Sequence, residues 1–124
     1  MSYIAKIDVE KLGEYKNKVV SDEVVLTEER KLHIYESHKK DYEEIMKNIR
    51  NAILNPQEII EDIKNKDTVF FIGKLKKNNL NVIVKLNASN NLQHPKNSIM
   101  TAWIIRDKNL NKLREKHKII YKAE

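Results

Sequence analysis

The stretch Thr68-Val69-Phe70-Phe71-Ile72-Gly73-Lys74-Leu75 (TVFFIGKL) decides how this 124-residue chain is read. Upstream of it the apolar residues recur at helical spacing. From it onward they fall in short runs rich in β-branched and aromatic side chains, which fit the pleated surface of a strand. NVIVKL (81–86), SIMTAWII (98–105) and KIIYK (118–122) repeat that texture. KKNN (76–79) reads as a polar hairpin turn, 87–97 as a longer polar loop, and Asp107 to Glu115 as a short helix.

Working back from TVFFIGKL, Tyr42, Ile45, Met46, Ile49 and Ile53 stand at i, i+3, i+4, i+7 and i+11, an apolar stripe along one helix face. That helix stops at Asn55-Pro56. Asn55 is expected to cap a third helix, with Pro56 at its first position and Glu58 completing a capping box. Ile59, Ile60 and Ile63 would be its buried side. Further upstream, Val24-Val25-Leu26 is a brief β-type run. Thr27 suits an N-cap, and Glu28 and Glu29 place negative charge in the first turn of a helix over 28–37. Residues 3–8 alternate loosely as an edge strand, and Val9 to Tyr15 form a short helical turn.

Helices therefore precede strands. The expected fold class is α+β, with N-terminal helices packed on a mostly antiparallel sheet of about four strands, and not a doubly wound α/β fold. Residues 1–21 read as an N-terminal extension and 22–124 as one domain, with no Gly-, Ser- or Pro-rich linker between them.

Apolar residues make up 40% of the chain and charged residues 34%, with only two glycines and two prolines, so long elements and one modest core are expected. The absence of cysteine excludes disulfides, thiolate catalysis and Cys-based metal sites. No segment approaches the roughly 20 apolar residues of a membrane span. The start MSYIAKIDVEK has no apolar run of signal-peptide length, so the expected location is cytoplasmic. The net charge of +6 suits attraction to a polyanion such as RNA or DNA, or to an acidic partner.

No Gly-rich phosphate loop, G-x-S-x-G, H-E-x-x-H or calcium loop is present. The histidines at 33, 38, 94 and 117 lack the paired spacing of a preformed metal site, and no metal or cofactor is expected. If 28–38 is helical, Arg30, His33 and Ser37 project to one side within roughly 60° of one another, while Leu32 and Tyr35 project toward the core. Arginine can grip a phosphate with two N–H bonds, and a histidine near its ordinary pKa can move a proton at neutral pH. The same stripe is also what the solvated face of an amphipathic helix looks like. In the strands, Lys85 interrupts VIVKL, and Thr101 is expected on one face with Ile99, Trp103 and Ile105, with Ser98 on the other. Lys122 follows Tyr121. On pattern alone, plain alternation on a half-exposed sheet is the favoured account of both lysines, and Trp103 and Tyr121 are more often core than base-stacking platforms. His94 and His117, just before strands, read as solvent-facing.

The ordered set VVLTEERKLHIYESHKKDYEEI, ILNPQEIIEDIKN, LNVIVKL, NSIMTAWII and KIIYK resembles the phage-associated branch of the barnase–EndoU–colicin–RelE-like nuclease superfamily over residues 22–122. YIAKIDVEKL is similar to the leader that accompanies such domains. The resemblance implies a helical layer followed by a four-stranded antiparallel sheet, and a metal-independent ribonuclease found with phage proteins or acting as a toxin. It matches Arg30 and His33 to an arginine and a histidine on the first helix. His38 matches the histidine of a His-Pro pair, with Lys39 in place of the proline. Lys85 matches a charged position after the Val-rich strand, Ser98 and Thr101 the hydroxyls of an Asn-Ser-x-x-Thr segment, and Tyr121-Lys122 a terminal pair.

The function this implies is RNA cleavage by attack of the 2′-hydroxyl on the adjacent phosphate. His33 would transfer the proton, Arg30 and Lys85 would hold the phosphate, and Thr101 would complete the catalytic set. His38, Ser98, Tyr121 and Lys122 would bind substrate. RNA is the expected partner, joined by an acidic antitoxin or immunity protein if the protein is a toxin. Two other readings share the basic charge: a non-catalytic module that holds nucleic acid or a phage protein, and an interaction or virion component that meets an acidic partner.

Overall fold

The computed structural model describes residues 2–88 and 96–124; His94 lies outside them. The elements in chain order are β1 (Ser2–Lys6), a 3-10 segment (Val9–Asn17), β2 (Glu23–Leu26), α1 (Glu28–Ser37), a 3-10 turn (Lys39–Asp41), α2 (Tyr42–Leu54), β3 (Glu58–Glu61), β4 (Thr68–Lys74), β5 (Asn79–Lys85), β6 (Asn97–Ile105), α3 (Asp107–Lys116) and β7 (Lys118–Lys122). The α+β class stands. The sheet does not have four strands but seven, in the order β1-β2-β6-β5-β4-β3-β7, and it is mixed. β2 runs parallel to β6, and the other pairings are antiparallel.

The three added strands have four or five residues each. β1 and β2 join β6 at one side of the sheet, and β3 slots between β4 and β7 at the other. β3 corrects the expected third helix. Asn55 ends α2, its backbone N–H donating to the carbonyl of Asn51 at 2.7 Å. Pro56 then leads into extended chain. Ile59 is buried in the core on the helical side of the sheet and Ile60 in the core on the opposite side. A strand covered on both faces shows no alternation, so its pattern imitates a helix turn. Glu58 does not cap a helix. Its Oε1 accepts a 2.6 Å hydrogen bond from Arg114 Nε on α3.

One face of the sheet carries the larger core. Ile45, Ile49, Ala52 and Ile53 of α2 and Ile34 of α1 pack there on Val69, Phe71, Val82, Val84, Ile99 and Ala102. Ala5, Ile7 and the fully buried Leu12 of the first 21 residues belong to the same core. α2 crosses β4 closely at Gly73, where a Cβ would come within 2.8 Å of the Ala52 Cβ. On the second face α3 covers one part of the sheet, with Leu110 on Ile60, Phe70, Ile72 and Ile105. The rest of that face is open.

Candidate active site

Alternation assigns the side chains of the open face in rows across the sheet. Lys85 stands between Thr68 and Ser98, Ile83 between Phe70 and Thr101, and Asn81 between Ile72 and Trp103. The rows break step at Met100, where a bulge shifts the register between Ile83 and Val84. The bulge corrects the strict alternation expected for SIMTAWII. Ile99 turns to the helical side, while Ser98 and Thr101 share the open face. An extra residue in one strand re-aims the side chains beyond it, which a period-two reading cannot anticipate.

A groove of about 570 Å³ lies on this face, lined by Asp62, Asn65, Thr68, Phe70, Ile83, Lys85, Met100 and Trp103. Lys85 Nζ donates to the Lys66 carbonyl at 2.6 Å, which fixes the ammonium at the groove with two further N–H donors. In the same turn, Asp62 accepts from the backbone N–H groups of Lys64 (2.8 Å) and Asn65 (3.2 Å) and from Asn65 Nδ2 (2.8 Å). Burial pushes this carboxyl up, but the Asn65 side chain, the two N–H groups and the nearby His117 outweigh burial. They hold the carboxyl below its ordinary range.

His117 is not the solvent-facing histidine its loop position suggests. Its ring is nearly buried, stands edge-on to Phe70 with centroids 5.3 Å apart, and lies 3.5 Å from Asp62 Oδ1. Nδ1 accepts from the Ile63 N–H at 3.2 Å, so a neutral ring carries its proton on Nε2.

β2 accompanies β6 only as far as Ser98, and α1 packs beside β6 beyond that point. The helix is capped by Thr27, whose hydroxyl accepts from the Arg30 N–H at 3.2 Å. Ile34 is its buried residue, whereas Leu32 and Tyr35 are exposed, opposite to the orientation expected from the sequence. Arg30 and His38, four residues before and after Ile34, are half-buried. The His38 ring meets Trp103 with centroids 6.2 Å apart. His33 and Ser37 are exposed on the same helix.

The structure thus gathers Lys85, Ser98 and Thr101 on one face of the sheet and brings His38 to the groove-lining Trp103. Arg30 and His33 ride on the helix beside them. Tyr121 and Lys122 sit on β7, at the far edge of the sheet. The Tyr121 ring packs on the helical side under Lys11 Nζ, 5.1 Å away, and Lys122 stands opposite Glu58. Neither lines the groove.

Sequence reasoning passed over Asn81 and Asp62 and set Trp103 down as core. Asn81 had a signal, because 81, 83 and 85 share one face of the strand that carries Lys85. Asp62 had none, since only the β3 pairing brings it there. Among the described residues, no three His, Cys, Asp or Glu side chains gather as a metal-binding group, and no helix is long and apolar enough to cross a membrane.

The family model of the phage-Barnase-EndoU-ColicinE5/D-RelE like nuclease 2 matches residues 3–122. The chain belongs to this nuclease family. Nuclease is therefore its function in general, and nucleic acid the substrate this phage-associated nuclease family points to. The match takes in β1 and the first 3-10 segment as well as the region from β2 onward. No curated protein and no solved structure matches the chain.

Proposed function

We propose that the protein is a metal-independent endoribonuclease whose substrate lies in the groove beside α1. The observation that carries this reading is the row Thr68–Lys85–Ser98, adjoined by Thr101, on the face toward which α1 turns His38. A cation, the hydroxyls of Thr68 and Ser98 and an imidazole then border one open surface, with the Thr101 hydroxyl buried beside them.

The chemistry follows from those groups. The 2′-hydroxyl of RNA attacks the adjacent phosphorus, and the bond to the 5′-oxygen of the next nucleotide breaks. A 2′,3′-cyclic phosphate and a free 5′-hydroxyl remain. His33 takes the proton from the attacking hydroxyl, and His38, beside Trp103, is placed to return one to the leaving oxygen. Arg30 and Lys85 hold the phosphate and stabilise the charge that builds on it. Thr101 and Ser98 orient the substrate by hydrogen bonds. Tyr121 and Lys122, at the opposite edge, take no part in this mechanism. Action as a toxin, held in check by an acidic antitoxin or immunity protein, fits the same chemistry.

The test is RNA cleavage by the purified protein in EDTA, with product ends mapped and the His33→Ala and His38→Ala variants alongside. Cyclic-phosphate ends from the wild type, reduced about a hundredfold or more in His33→Ala, support the mechanism. Cleavage that needs an added divalent ion, or that His33→Ala leaves intact, refutes it. Intact RNA with tight, salt-sensitive binding would mark the binding module instead.

A further inference from the structure

Asn81 is fully buried on β5, and neither its Nδ2 nor its Oδ1 finds a hydrogen-bond partner among the described residues. The hydroxyl of Thr101, in the adjoining row, is likewise buried and unpaired. Other buried asparagines of the sheet are not left this way. Asn79 Nδ2 donates to the Ile105 carbonyl (3.4 Å) and to Asp107 Oδ1 (2.8 Å). Asn97 donates to the Ser21 and Glu23 carbonyls (2.8 and 3.0 Å) and accepts from the Asn87 N–H (2.8 Å). An unsatisfied buried amide costs folding free energy, and a leucine between Ile72 and Trp103 would fill the position without that cost. Such a group marks a place where something else is meant to bond.

One neighbour of Asn81 lines the groove and offers an answer. Trp103, its cross-strand partner, is half-buried, lines the groove and is held by a tilted ring contact with His38. We infer that Asn81 is a base-reading residue. Trp103 swings aside to take the face of an unstacked nucleobase, and the edge of that base reaches the Asn81 amide, with the Thr101 hydroxyl beside it. The chemistry matches. A carboxamide presents a donor and an acceptor side by side, as does the edge of each RNA base, and unpaired RNA is read by stacking on aromatic rings plus hydrogen bonds to base edges. This rests on the groove's being the RNA site and adds what the phosphate chemistry does not supply, a choice among bases.

The chain has a single tryptophan, so its fluorescence reports on Trp103 alone. The wild type and Asn81→Leu would be titrated in EDTA with the four ribonucleoside monophosphates and with inorganic phosphate. At least one nucleotide should bind the wild type about tenfold more tightly than the others. Asn81→Leu should level that ranking, keep phosphate binding and unfold at an equal or higher temperature. Equal binding of all four nucleotides, no nucleotide binding, or an unchanged ranking in Asn81→Leu would each overturn the inference. If Asn81→Leu did not fold, the wild-type ranking would still decide. The nuclease reading is judged separately. RNA cleavage with no base ranking removes the base pocket alone, whereas a base ranking without cleavage removes the mechanism alone.

Discussion

Asp62 shows how one residue serves the turn and the groove together. Three N–H donors converge on its carboxylate, and it faces the buried His117 ring. Its proton is therefore bound less readily in the folded chain than in the unfolded one. The stability this contributes is complete above the unfolded value near pH 4 and disappears as the pH falls through the lower folded value. Asp62→Asn should be less stable than the wild type at neutral pH, by about 1–2 kcal/mol for the lost charge-assisted hydrogen bonds. The two proteins should converge as the pH drops below about 4. Urea midpoints measured from pH 7 to pH 3 check this, and a gap that stays constant with pH would contradict it. At this scale a side chain's type states its chemistry alone, as with the cations Arg30 and Lys85 and the imidazole of His33. The sequence was silent on Asp62 and His117, because their roles come from partners distant in the chain.

Among the elements, α2 and β4 depend on each other at a single close approach. Gly73 lets the helix lie directly on the strand, and a methyl group there would press into Ala52. Gly73→Ala should cost about 1–3 kcal/mol by forcing the two apart. Chemical denaturation measures this, and combining the variant with Ala52→Gly should recover much of the loss. α2 was legible by its helical period, and the strands from β4 onward by their β-branched and aromatic residues. β3 was not. With Ile59 and Ile60 buried on opposite faces, its four residues carry no alternation, and the preceding Asn-Pro imitates a helix start. The orientation of α1 was also hidden. Its one buried residue, Ile34, is outnumbered by the exposed Leu32 and Tyr35, so the apolar count points the wrong way.

On the whole-molecule scale, the +6 net charge suits attraction to nucleic-acid phosphates. If Lys85 holds one phosphate, Lys85→Gln should flatten the slope of log affinity against log salt by about 0.7 for single-stranded RNA. It should leave the ranking among bases unchanged. Fluorescence titrations of both proteins across salt concentrations check this, and an unaltered slope would remove Lys85 from the phosphate site.

By itself, the sequence determined the α+β class, the amphipathic face of α2, the texture of the later strands and the order of motifs that marks a nuclease. These depend on neighbours within a few residues, so local periodicity records them. Only the tertiary structure decided that the short N-terminal segments join the same sheet, that a bulge turns Ser98 and Thr101 to one face, and that Asn81 lies buried opposite Trp103 with no hydrogen-bond partner among the described residues. Strand pairing is a contact between residues far apart in the chain, and one inserted residue reverses every face beyond it.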